Sequence, residues 1–142
     1  MLKLCKVYYP QQFNSPVIYH HPRFEDDLKS ILEKSGIHKK FAEIFRRKLY
    51  YIEKKMHRST ESRWFEKLKE KDLYSIKFAM VKNIRIICTF MDAPVRKIIV
   101  LLCGFEEKNS NRGKDSYSKN ISIALERLKE IEEGFILEGE NL

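Results

Sequence analysis

The spacing of apolar side chains divides the chain into segments of different period. Phe24, Leu28, Ile31 and Leu32 recur at i, i+4, i+7 and i+8, the mark of one buried helical face. Glu25, Asp26 and Asp27 fall in the first turn, where the helix dipole favours anions, and Gly36 offers a stop. A second helical stripe, Phe41, Ile44, Phe45, Leu49, Ile52 and Met56, covers about residues 39–57. Lys40, Arg47 and Lys54, seven apart, share another face of that helix. The short connection predicts an αα-hairpin.

From Leu73 the period drops to two. Leu73–Ala79, Ile84–Met91 and Lys97–Phe105 are rich in Ile, Val, Phe and Tyr and read as strands. Their turn-sized links predict an antiparallel meander. Lys97–Phe105 is apolar at both phases, so it is expected in the middle of the sheet, covered on both sides. Asn109–Lys119, N-S-N-R-G-K-D-S-Y-S-K, reads as a flexible polar loop. A last helix is expected from near Ser118, with Ile121, Ala124, Leu125, Leu128 and Ile131 on its inner side and Gly134 as its stop. Leu2–Tyr9 reads as a short strand ended by Pro10, and Pro16 and Pro22 keep the next stretch irregular or extended.

This order predicts an α+β fold: a twisted antiparallel sheet of three to four strands, an N-terminal helical hairpin and a C-terminal helix. One domain spans 1–142, with an N-terminal arm or strand (1–23), the hairpin (24–58), and the strand core with its last helix (64–132). The acidic end after Gly134 could cover the basic face or fray.

A chain of 142 residues, 43% hydrophobic and 34% charged, can bury a core and is neither a disordered nor a disulfide-stapled chain. No apolar run approaches the roughly 20 residues of a membrane span. The N-terminus lacks the apolar stretch of a secretory signal. Cys5, Cys88 and Cys103 form an odd, scattered set, expected as reduced thiols in the cytoplasm.

Charge adds a functional hint. The chain carries a formal +8. Residues 39–69 hold eleven Lys and Arg against four Glu, a net +7, whereas residues 126–142 hold two basic and six acidic residues, a net −4. A basic middle of this kind fits either a polyanion partner or a solvated helix face with pairs such as Glu43–Arg47.

Other chemistries find little support. His20, His21, His38 and His57 form no H-x-x-x-H pair, so exposed or capping roles are expected and no metal site. Neither a P-loop nor a G-x-G-x-x-G run occurs, so no cofactor is expected. Cys103, in phase with Leu101 and Phe105, reads as a core thiol. Basic residues inside strands stand out instead. If the turn near 80–83 sets Lys77 opposite Arg85, two like charges share one sheet face, which costs stability unless an anion offsets them. Lys108, Lys114 and Lys119 could ring the same face. Such a cluster suits metal-free RNA cleavage, in which a ribose 2′-OH attacks the adjacent phosphate and fixed cations stabilise the developing charge. It suits plain phosphate binding equally.

Four stretches in order carry a family resemblance: D-L-Y-S-I-K (Asp72–Lys77), N-I-R-I-I-C-T-F (Asn83–Phe90), I-V-L-L-C-G-F-E-E-K (Ile99–Lys108) and I-A-L-E-R-L-K-E-I (Ile123–Ile131). Together they resemble the RelE/ParE toxin superfamily, and within it the HigB-like, phage-derived branch. The resemblance covers about residues 64–132 and extends loosely to the helices of 24–56. It implies a toxin of a type II toxin–antitoxin module that acts as a ribosome-dependent mRNA endonuclease without metal. It implies ribosome, mRNA and a cognate helix-turn-helix antitoxin as partners, and no membrane. By motif position, Arg85, Lys77 and Lys108 take the catalytic phosphate-clamp places.

Three departures stand beside it. Cys103 occupies the usual His place before Gly-Phe, Glu107 the first Lys of the K-K pair, and S-I-K the place of E-L-R. Tyr74, Tyr117 or a lysine would then serve as the base, or cleavage would rely mainly on positioning by the ribosome. Substrate contacts are expected from Lys114, Lys119, Tyr74, Tyr117, Arg47 and Lys54, the last two on the basic helix that would meet ribosomal RNA. The alternative is a non-nuclease binder, either a ParE-like gyrase inhibitor or an inactive interaction protein. A host-shutoff protein of a mobile element would share the chemistry.

Overall fold

The computed structural model describes residues 1–9, 13–35, 38–78, 83–107 and 113–140. Strands β1 (Leu2–Lys6) and β2 (Ile18–His20) lead into helices α1 (Phe24–Ser35) and α2 (His38–Lys55). A 3-10 turn, Met56–Glu61, follows. Next come β3 (Phe65–Lys67), β4 (Tyr74–Phe78), β5 (Ile84–Asp92) and β6 (Lys97–Glu106). Helix α3 (Gly113–Glu132) and β7 (Phe135–Leu137) complete the order.

The seven strands form one sheet in the order β3-β4-β5-β6-β2-β1-β7. Each period-two segment is a strand of the expected antiparallel meander, β4-β5-β6. The α+β class holds, but the sheet is larger than three to four strands and is mixed, because β2 runs parallel to β6 and β1 parallel to β7. The order of elements differs too, with strands added before α1, after α2 and after α3. Three of the strands, β2, β3 and β7, have only three residues each, too few to display a period. The stretch after Gly134 thus begins as a paired strand, and Glu138 just past it accepts from the Lys6 amide and the Tyr8 hydroxyl.

Helices cover both faces of the sheet. Phe24, Leu28 and Leu32 of α1 and Phe41, Phe45, Leu49 and Ile52 of α2 pack with Phe65, Ile76, Phe78, Ile84, Ile86, Ile99 and Leu101. On the other face Ala124, Leu128 and Ile131 of α3 pack with Ile87, Val100, Leu102, Cys103 and Phe105. Every residue from Ile98 to Phe105 is buried, as its two-sided apolar pattern requires. A bulge helps it: the β5–β6 register shifts between Ile87 and Cys88, and Leu102 is left without a Cα partner.

Two helix ends depart from expectation. Met56 adopts φ +48°, so α2 ends at Lys55, two residues before the expected end, and the methionine falls outside the helical stripe. Helix α3 begins at Gly113, inside the segment expected as a flexible loop. Its inner side carries Arg127 in place of Leu125, which is 41% exposed. Gly134, at φ +137°, follows α3 as expected, whereas Gly36 lies outside the described residues.

One gap in the sheet is closed by side chains. The pairing of β2 with β6 ends at His20 and Leu101, extended by a 2.9 Å bond from the His21 amide to the Leu101 carbonyl. Beyond it β6 continues to Glu106. Asp27 of α1 accepts from the Gly104 amide at 3.2 Å, and Arg127 of α3 donates to the Leu102 carbonyl at 2.8 Å. The two side chains also bind each other, Arg127 Nη1 to Asp27 Oδ2 at 2.6 Å. They replace a strand and clamp α1 to α3 through the opening.

His20 and His21 are buried beside this clamp, not exposed as expected. His21 Nδ1 accepts from the Arg23 amide at 3.1 Å, so Nε2 carries the proton and faces Glu130 at 3.3 Å. Burial, Arg127 and Arg23 push the His21 pKa down against the opposing pull of Glu130.

Candidate phosphate-binding site

The β4–β5 register places Lys77 directly opposite Arg85. The Lys77 amide bonds to the Trp64 carbonyl at 2.8 Å and its carbonyl accepts from Lys48 Nζ, so both backbone groups point toward β3. Lys77 and Arg85 are therefore a non-hydrogen-bonded pair, whose Cα atoms approach to about 4.5 Å. Alternation with Ile76, Phe78, Ile84 and Ile86, which face α1 and α2, puts both cations on the α3 side of the sheet.

Two carboxylates meet them. Glu66 of β3 reaches Lys77 Nζ at 2.5 Å, and Glu107, one residue past β6, reaches Arg85 Nη2 at 3.0 Å. The like charges are thus offset within the chain. Arg85 is the more enclosed cation, its side chain 12% exposed against 32% for Lys77. Its Nη1 donates to the Ile84 carbonyl at 3.2 Å, and its Nε is buried with no hydrogen-bond partner among the described residues.

Beside the pair, Ser75 and Tyr117 join hydroxyl to hydroxyl at 3.0 Å, and the Tyr117 ring stands edge-on to Phe105 at 5.1 Å. Phe105 is the Cα partner of Arg85. Helix α3 therefore presents Tyr117 to the cation face, from a segment expected as a polar loop.

Lys48 is a basic residue that the sequence had not singled out. It reaches from α2 to cap the Lys77 carbonyl where β3 falls short, and its ammonium lies 4.8 Å from the ring centres of both Trp64 and Phe78. Burial first, then the nearby Arg47 and Arg85 charges, lower its pKa to about 8. No motif marks it; only the end of β3 makes its position legible.

The other expected residues divide. Tyr74 lies on the opposite face from Lys77, in an aromatic cluster with His57, Phe65 and Phe90. It does not join the cations, because it is an odd number of residues from Lys77 on the same strand. Arg47 and Lys54 are exposed on α2, as is Lys40, so the basic stripe is real but belongs to the helical side. Lys119 is exposed on α3. Lys114 falls in the first turns of α3, with its side chain outside the described part, and Lys108 lies outside the described residues altogether. Cys103 is buried as expected, its Sγ 3.5 Å from the Asn120 carbonyl, and burial pushes its pKa up to about 12. It cannot act as a thiolate near neutral pH.

Among the described residues, no group of three or more His, Cys, Asp or Glu is placed to hold a metal ion, and no helix is long and apolar enough to cross a membrane. No family model matches the chain, and no curated protein or solved structure matches it either.

Proposed function

We propose that this protein is a toxin of RelE/ParE type, a ribosome-dependent endoribonuclease whose Lys77–Arg85 pair holds the scissile phosphate of mRNA. The observation that carries the reading is the β4–β5 register, which sets the two cations opposite each other on a face that also carries Ser75 and Tyr117. In the reaction the ribose 2′-oxygen attacks the adjacent phosphorus, the 5′-oxygen leaves and a cyclic phosphate forms. Arg85 offers a planar donor set to the phosphoryl oxygens, and Lys77 a point charge. The stripe of Lys40, Arg47 and Lys54 supplies a docking surface for ribosomal RNA. A helix-turn-helix antitoxin is the expected inhibitor.

The second reading is a binder that does not cleave. It is favoured by Cys103, a buried thiol at the position where the resembled family carries a histidine, and by the carboxylates already seated on both cations. A cell-free translation reaction separates the two. Added protein should create new mRNA 5′ ends that require ribosomes, and Arg85→Ala should reduce them about 100-fold while the protein stays folded. Intact mRNA with folded protein would remove the nuclease reading and leave a protein partner or gyrase as the target.

A further inference from the structure

Glu66, Lys77, Arg85 and Glu107 lie on successive strands of one sheet face, from β3 through β4 and β5 to the residue after β6, and their charges run negative, positive, positive, negative. We propose that Glu66 and Glu107 are intramolecular stand-ins for a phosphodiester, so that RNA enters the Lys77–Arg85 pair by exchange, its phosphate oxygens arriving as the two carboxylates leave. The proposal rests on the reading of that pair as an RNA phosphate site and names what regulates it.

Three features support exchange. A carboxylate and a phosphate offer a guanidinium the same paired oxygen acceptors, so one can take the place of the other without rearranging Arg85. Neither carboxylate is buried, since the Glu66 side chain is 52% exposed on an edge strand and that of Glu107 is 27% exposed just past the end of β6. Arg85 also keeps Nε in reserve, buried and without a hydrogen-bond partner among the described residues, for a ligand with more acceptors than one carboxylate supplies. The row of four charges sums to zero. Long-range attraction of RNA therefore falls to the α2 stripe, and the paired cations act after docking, as a selective step.

The test measures binding of inorganic phosphate, and of a short fluorescent single-stranded RNA, to the full chain without ribosomes. Glu66→Gln with Glu107→Gln keeps side-chain shape and removes both competitors. Each partly exposed ion pair is worth a few-fold in binding, so about tenfold tighter binding of both probes is expected. Adding Arg85→Gln to that variant should abolish the gain. Glu132→Gln with Glu133→Gln, exposed at the far end of α3, makes the same net charge change and should leave affinity unchanged. If the double variant fails to fold, Glu107→Gln alone is expected to bind about threefold tighter.

Equal affinity of wild type and variant, a gain that survives Arg85→Gln, or the same gain in the α3 control would each overturn the exchange. Cleavage assays on the same proteins keep the two readings apart. Arg85-dependent tightening without cleavage removes the nuclease and keeps the exchange. Cleavage without tightening does the reverse.

Discussion

Arg127→Met tests whether the Asp27–Arg127 clamp stands in for a missing strand. The substitution keeps most of the apolar stem but strips three contacts: two to Asp27, at 2.6 and 3.3 Å, and one to the Leu102 carbonyl at 2.8 Å. The Arg127 side chain is 10% exposed and that of Asp27 21%, so water recovers only part of what is lost. Removing one partner of a buried pair costs about 3–5 kcal/mol, and the partial exposure of Asp27 argues for the lower end, about 3 kcal/mol. For a chain of this length that lowers Tm by about 10 °C. Asp27→Leu should cost a similar amount, since it orphans both the guanidinium and the Gly104 amide. The double variant leaves no unpaired charge, so it should lose about 3–4 kcal/mol, with a coupling of about 2–3 kcal/mol. Urea unfolding of the four proteins measures the cycle. Additivity within about 0.5 kcal/mol would refute the clamp and reduce the pair to two independent contacts.

Other predictions follow from single groups. Trp64 is the only tryptophan of the chain and lies 4.8 Å from the Lys48 ammonium, so its fluorescence should titrate with a midpoint near pH 8. Lys48→Met should remove that transition, and a flat profile in the parent protein would show that the ammonium is not held there. Burial favours neutral His21 in the folded chain, so its contribution to stability is present above the unfolded pKa of about 6.5 and is lost as pH falls below it. Urea midpoints should decline from pH 7 to pH 5, and less steeply in His21→Gln. Burial raises the pKa of both Cys88 and Cys103. Burial raises the pKa of Cys5 too, but its side chain is only half-buried, so iodoacetamide at pH 8 should modify only Cys5 in the native protein, and all three thiols after denaturation, as read by mass spectrometry.

Legibility in the sequence followed the length of each signal. The run Lys97–Phe105, apolar at both phases, was enough to put β6 between two layers. The stripe from Phe41 to Ile52 was enough for the buried face of α2. The opposition of Lys77 and Arg85 was legible as one possible register because few residues separate the two period-two segments. What offsets those charges was not legible. Glu66 belongs to a three-residue strand too short to show alternation, and Glu107 stood out only as a departure from the family's lysine. Tyr117 was a candidate by residue type, but its place on a helix was not legible, because the first turns of α3 are polar and helical period appears only from about Ile121. Asp27 read as a helix-dipole residue, and its second task exists only because β2 ends at His20. The signs of local structure are carried by neighbours along the chain, whereas these partners come from distant segments.

The outermost pairing of the sheet carries a kinetic consequence. Strands β4, β5 and β6 are sequence neighbours, so their hairpins close short loops at small entropic cost. The parallel β1–β7 pair joins segments at opposite ends of the numbering, with Lys6 bonded to Glu138 across 132 residues. High contact order of this kind forms late. The meander can therefore assemble first as a scaffold, with β7 added at the edge as the closing step. Because β7 contributes only Phe135–Leu137 at the sheet edge, it should open at low free energy, and its amides should exchange with solvent well before those of β5 and β6.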